Sequence, residues 1–272
     1  MTQEINTQAV ADVLLAIREK SPLVHNITNY VVMNNTANAL LAVGASPIMA
    51  HAQEEVREMV QISSSLVINI GTLSPAWIQA MEIAVDQAKK TKTPWVLDPV
   101  GYGASALRNQ TVADLYKVCP PTILRGNASE IMGIAAQAGA IKGVDSTAAS
   151  HEALEAARLL VNVWNNTISI SGAVDQVASA GRFTQIHNGS ALMTQVTGMG
   201  CTATAINGAC LGVCDDTHLA AVSAMALMGV CGNMAAEKAQ GPGSFQMYFL
   251  DALYQISPDD LEQRLKLEHH AL

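Results

Sequence analysis

Four short apolar runs, each closed by a turn former and separated by helical stretches, constrain this chain more than any other feature. Leu66–Ile70 ends at Gly71, Pro94–Asp98 at Pro99, Thr122–Arg125 at Gly126-Asn127, and Thr167–Ser171 at Gly172. Short apolar runs of this kind are expected of parallel strands covered on both faces. Stretches such as Pro75–Lys90 and His151–Trp164 read as helices. This alternation predicts an α/β fold around a mostly parallel sheet. The pattern changes after Ser171. Asp175–Ala178 and Arg182–His187 flank Ser179-Ala180-Gly181 as a hairpin, and nearly everything from Met199 onward reads helical. No linker, repeat or low-complexity tract divides the chain. Residues 1–272 are therefore expected to form one domain, with 1–11 and 258–272 peripheral and Leu267–Leu272 a tail.

A sheet buried on both faces needs a large apolar core, and the composition supplies it. The 272 residues are 50% hydrophobic and 14% charged, which excludes a disordered chain. Only 4% are aromatic, so Ala, Val, Ile, Leu and Met must build the core. The net charge of −8 gives no general attraction to nucleic acid or anionic membrane. An anionic substrate must then be held by local donors. Leu219–Ala236 is the most apolar stretch, but Ser223, Gly229, Gly232 and Asn233 interrupt it, and it reads as a buried helix. The first twenty residues have neither the basic start nor the apolar run of a secretory signal. Five cysteines without a C-x-x-C pair suit reduced thiols in the cytoplasm.

Open α/β sheets bind ligands beyond the carboxyl ends of their strands. The polar residues that stand out here fall at such ends: His25-Asn26, Asp98, Arg125 and Ser171. A polar group there is often only a helix cap, but four convergent ends are harder to assign to capping alone. Met49 closes a further strand and is a candidate for lining an apolar pocket. In Gly198-Met199-Gly200-Cys201, two glycines precede a small-residue helix. The N–H groups of its first turn form a candidate anion hole for a phosphate. Cys201 sits near that helix start, where a thiol is expected to be acidified. Arg125 is a candidate phosphate ligand. Glu130 and Asp98 are candidate carboxylates near Mg²⁺. Asn127 and Glu130 also match a capping box, a purely structural alternative. The Walker A, H-E-x-x-H and G-x-S-x-G motifs are absent, which argues against P-loop NTPases, zincins and α/β-hydrolases.

Seven segments occur in order along residues 12–256: Ser21–Asn29, Gly44–Met49, Asn69–Thr72, Leu97–Val100, Arg125–Ile131, Gly198–Cys201, and Glu237 with Gly241–Phe245. Together they resemble the hydroxyethylthiazole kinases. The resemblance implies a ribokinase-like three-layer α/β/α fold with a helical C-terminal part. It implies transfer of the γ-phosphoryl group of ATP, with Mg²⁺, to the alcohol of 4-methyl-5-(2-hydroxyethyl)thiazole in thiamine salvage. It also implies a homotrimer with active sites between subunits. By similarity Met49 and Gly198 contact the thiazole, with Asn26 nearby. Arg125 and Ser171 contact ATP, and Asp98 and Glu130 lie near Mg²⁺ and the phosphates. Position 171 is often Thr in the family; Ser171 keeps the hydroxyl. Cys201 stands where the wider superfamily carries an aspartate base. A loose phosphoryl transition state leaves the alcohol proton in place until late, so a strong base is not essential. Cys201 is expected to orient the alcohol and to assist its proton's removal weakly. A sensor that only bound the neutral thiazole would need none of Asp98, Arg125 and Glu130.

Overall fold

The computed structural model describes residues 5–137 and 149–272. One nine-stranded sheet organises them, in the order β2-β1-β3-β4-β5-β6-β7-β8-β9. Its parallel part comprises β1 (Leu23–Ile27), β2 (Ser46–Ile48), β3 (Ser65–Asn69), β4 (Trp95–Asp98), β5 (Ile123–Asn127) and β6 (Thr167–Ser171). The strands β7 (Asp175–Ser179), β8 (Arg182–Ile186) and β9 (Leu267–His270) continue it antiparallel. The expected mostly parallel sheet and the hairpin are both present.

Helices cover both faces. One layer holds α1 (Thr7–Lys20), α2 (Met33–Val43), α8 (Met199–Leu211), α9 (Thr217–Ala236), α10 (Pro242–Gln255) and α11 (Pro258–Arg264). The other holds α3 (Val56–Ile62), α4 (Pro75–Thr91), α5 (Ala106–Val118), α6 (Ala128–Gln137) and α7 (Ala149–Trp164). Two apolar cores result, one on each side of the sheet. Strands β3 and β4 are buried at every position, which explains why their sequences lack polar alternation. The apolar stretch beginning at Leu219 lies in α9. That helix is long and apolar enough to cross a membrane, but it is packed into the core.

Local chemistry sets the helix starts. Ser74 accepts from the Trp77 N–H, and Pro75 occupies the first turn of α4. Ser105 accepts from Arg108 N–H, and Asp216 caps α9 through His218 and Leu219. Ser257 and Asp260 cap each other at the start of α11.

Two boundaries differ from the sequence reading. Neither flank is peripheral: Val10 and Ala11 of α1 and Leu261 of α11 are buried, and Leu267–His270 pairs with β8 as an edge strand instead of forming a loose tail. Only Leu267 of its four residues is apolar, so no apolar run marks β9 in the sequence. The first strand runs past His25-Asn26 to Ile27, so these two residues lie inside β1.

Candidate active site

The carboxyl ends of β1, β3 and β4 face the N-terminus of α8, and buried polar side chains bridge the gap. Asp98, the last residue of β4, is buried. Its Oδ2 accepts from Asn69 Nδ2 at 2.8 Å and from Thr204 Oγ1 on α8 at 2.7 Å. Asn69 lies beside Asp98 in the β3–β4 register. With Nδ2 committed to a carboxylate, its Oδ1 accepts from Asn29 Nδ2 at 2.9 Å. Asn29 Nδ2 also reaches Cys201 Sγ at 3.5 Å. A continuous chain of contacts thus runs from Cys201 through Asn29 and Asn69 to Asp98 and back to α8.

Both glycines of the Gly-x-Gly segment answer a local need. Gly198 caps α8 in the left-handed region at φ +84°, and a Cβ there would lie 2.7 Å from Val32 Cγ1. A Cβ on Gly200 would lie 2.9 Å from Arg125 Nη1. The second glycine therefore admits the guanidinium against the first turn of α8. Arg125 sits within β5 and is 6% exposed. Its Nη1 stands 4.0 Å from Asp98 Oδ2, too far for a hydrogen bond, and its Nε is buried with no partner among the described residues. Unspent donors on a buried cation beside a helix N-terminus form a natural anion site.

Arg125, Ser171, Met199 and Gly200 line one cavity of about 620 Å³. It continues past Gly172 and Asp175 of the hairpin, the segment Asn188–Thr194, and Met225 and Met228 of α9. Glu130 is buried at the start of α6, with both carboxylate oxygens engaged: Oε1 accepts from Gly101 N–H at 2.9 Å and Oε2 from Asn127 N–H at 2.8 Å. Asn127 Oδ1 in turn accepts from Glu130 N–H at 3.0 Å. The capping box is therefore formed, and it fixes Glu130 against the β4 turn.

Electrostatics separate these groups. Burial pushes Asp98 up to about 6 in spite of the opposing pull of Arg125, and Asn69 and Thr204 moderate the rise. Burial and the Asp98 charge push Cys201 up to about 11. The expectation of an acidified thiol is thereby reversed. Cys201 lies in the first turn of α8, but desolvation and a nearby carboxylate outweigh the helix end, and the side chain is a neutral thiol at neutral pH.

Of the predicted residues, Asp98, Arg125, Ser171, Gly198, Met199, Gly200 and Cys201 meet around the α8 N-terminus, with Glu130 adjoining through the β4 turn. Met49 immediately follows β2 at the same end of the sheet and is half-buried. Asn26 does not reach this group. It is fully buried, and its Nδ2 donates to Val24 O at 2.9 Å within its own strand. The residue that extends from β1 to the site is Asn29. The sequence reading assigned no role to Asn29, Asn69, Thr204 or Arg108. The first two lie within segments that carried the resemblance, and only the strand register reveals their contact.

Comparison with known proteins names the group. A sequence profile of the hydroxyethylthiazole kinase family matches residues 14–259. The chain belongs to the hydroxyethylthiazole kinase family. A hydroxyethylthiazole kinase of Leptospira biflexa serovar Patoc is 55% identical over 265 residues, 97% of this chain and 99% of the relative. One from Vibrio campbellii is 49% identical over 261 residues, 96% and 98% of the two chains. The solved hydroxyethylthiazole kinase structure from Pyrococcus horikoshii superposes with a TM-score of 0.91 at 38% identity, covering 97% of this chain and 99% of that one. A Staphylococcus aureus pyridoxal kinase in complex with AMP-PCP shares the fold, with a TM-score of 0.67 at 13% identity over 92% of this chain and 99% of that one. The expected ribokinase-like three-layer architecture is borne out.

Proposed function

We propose that this protein transfers the γ-phosphoryl group of ATP to the primary alcohol of 4-methyl-5-(2-hydroxyethyl)thiazole, in thiamine biosynthesis or salvage. The observation that carries the reading is Arg125: a buried guanidinium with unspent donors, admitted by Gly200 to the first turn of α8, at one end of a cavity sized for a small ligand. Family membership supplies the reaction class.

In this reading the nucleotide occupies the cavity and its phosphates lie toward Arg125, with Ser171 in contact. The N–H groups of Met199, Gly200 and Cys201 hold the transferring phosphoryl group. Gly198, Met49 and the end of β1 border the acceptor. The alcohol oxygen bonds to the γ-phosphorus as the bond to the bridging oxygen of ADP breaks, and the alcohol proton passes late to water. Cys201, neutral and held by Asn29, orients the hydroxyl. Positioning and preorganised donors then supply most of the rate.

The donor set fits a divalent cation bound chiefly by phosphate and water. Among the described residues no group of three or more His, Cys, Asp or Glu side chains could cage a metal ion. Asp98 is a buried carboxylate raised by its own desolvation, and Glu130 is fixed nearby. Such a pair suits Mg²⁺, which keeps several waters and takes one or two carboxylates beside substrate phosphates. When bound, Mg²⁺ neutralises charge on those phosphates.

We extend the proposal to a cytoplasmic homotrimer with sites between subunits. Support comes from the unpaired edge strand β2 and from the exposed apolar side chains of Tyr30, Val31, Leu41 of α2 and Ile62 of α3. An ADP-release assay with ATP and Mg²⁺ tests the reaction, run with hydroxyethylthiazole, with hydroxymethylpyrimidine and with no acceptor. Thiazole-dependent release is expected. Release with the pyrimidine alone would reassign the acceptor, and thiazole binding without release would make the protein a sensor.

A further inference from the structure

We infer that Arg108, on the surface helix α5, is a positioning residue for phosphoryl transfer: its guanidinium ties together the two strand-end turns that carry the acceptor side and the carboxylate side of the site. The inference rests on the phosphotransfer reading above. Arg108 Nη1 donates to Ile70 O at 2.7 Å and also to Val100 O, while Nη2 donates to Gly71 O at 2.8 Å. All three acceptors are main-chain carbonyls at the carboxyl ends of β3 and β4. No carboxylate among the described residues forms an ion pair with it.

The two turns it joins are those that hold the reacting groups. Gly71 N–H donates to Asn69 Oδ1 at 2.9 Å, and a Cβ on Gly71 would lie 2.6 Å from Asn29 Nδ2. The position of Gly71 therefore sets Asn29, and through it Cys201. Val100 precedes Gly101, whose N–H donates to Glu130 Oε1 at 2.9 Å. Ile70 N–H to Asp98 O, at 3.2 Å, is the last main-chain bond between the two chains before they diverge. Beyond it, the Arg108 fork takes over as the cross-tie. A planar guanidinium can hold three carbonyls in fixed relative positions; an ammonium on a flexible stem cannot hold the same geometry. Misplacement of reacting groups by about 1 Å can cost about 100-fold in rate. Loss of the fork should therefore appear mainly in kcat.

Two variants, Arg108→Met and Arg108→Lys, test this by steady-state kinetics with ATP and hydroxyethylthiazole, alongside thermal melting. Arg108→Met keeps the apolar stem and removes every donor. We expect its kcat to fall by roughly 10- to 100-fold with both KM values within about threefold of wild type, while the protein stays folded at the assay temperature. Arg108→Lys should give an intermediate kcat, and it decides the matter alone if the Met variant does not fold. A kcat within twofold of wild type in a folded variant overturns the inference. So does an effect confined to melting temperature or to one KM. Absence of thiazole turnover in the wild type is a different result, since it removes the proposed reaction itself.

Discussion

Two buried polar networks among the described residues differ in how completely they are satisfied. In the antiparallel flank, His218 of α9 is fully buried. Its Nδ1 pairs with Ser179 Oγ at 2.8 Å and its Nε2 with Thr184 Oγ1 at 2.9 Å, so both ring nitrogens have partners. Thr184 Oγ1 also meets His269 Nδ1 of β9 at 3.0 Å. Burial pushes His218 down to about 4, so the ring is neutral near pH 7. At the carboxyl ends of the parallel strands, by contrast, a buried carboxylate is raised to about 6 and a buried arginine keeps an unpaired Nε. The first network spends its groups on one another and joins β7, β8, β9 and α9. The second leaves charge and donors unspent where a substrate would meet them. A satisfied network stabilises the fold, whereas an unsatisfied one costs stability and is retained at functional sites.

Breaking the second network should remove activity and spare the fold. The largest effect is expected for Asp98→Asn: kcat falls by about 100-fold or more in steady-state assays, while the amide oxygen still accepts from Asn69 and Thr204 and the protein stays folded at the assay temperature. Gly200→Ala comes next. The new Cβ displaces the Arg125 guanidinium, and KM for ATP should rise roughly tenfold, the cost of one weakened charged hydrogen bond. Cys201→Ala is milder. A neutral thiol that only orients the alcohol should cost a few-fold in kcat, about 1 kcal/mol. An unchanged kcat would remove the side chain from the mechanism and leave the N–H groups.

The first network should respond the opposite way. His218→Gln should leave kcat within twofold and lower stability at pH 7 by about 1–3 kcal/mol, measured by urea unfolding. The pH dependence carries the sign. The unfolded histidine, at its ordinary value of 6.5, binds a proton that the folded ring refuses. Stability is therefore fully present above pH 6.5 and is lost as pH falls toward the folded value of about 4. The loss should reach roughly 3 kcal/mol by pH 4, and the slope over this window should flatten in His218→Gln. An unaltered slope would assign the acid sensitivity elsewhere.

Much of this was legible in the sequence. The parallel strands announced themselves as short unbroken apolar runs, because both of their faces are covered. The polar residues at their ends were visible for the same reason: Asp98 and Ser171 are the last residues of β4 and β6. Gly198 and Gly200 stood out as a pair, but only the positions of Val32 and Arg125 show why each must be glycine. What stayed hidden depends on register and distance. Asn69 matters because β3 lies beside β4 with Asn69 opposite Asp98. Asn29 was passed over for Asn26 because the strand end was placed too early. Arg108 lies on a surface helix and acts on carbonyls 37 and 38 positions before it, with no local motif to mark it. The thiol of Cys201 was misjudged because a helix start is readable from sequence and the depth of burial is not.

In the proposed reading the carboxyl-end network serves phosphoryl transfer to the thiazole alcohol. Its most direct test incubates wild type and Asp98→Asn with ATP, Mg²⁺ and hydroxyethylthiazole and follows the phosphorylated thiazole by mass spectrometry, with both proteins shown to be folded. One phosphorylated thiazole for each ADP is expected in the wild type, and a rate about 100-fold lower in the variant. ADP formed without phosphorylated thiazole, or equal rates in the two proteins, would contradict it.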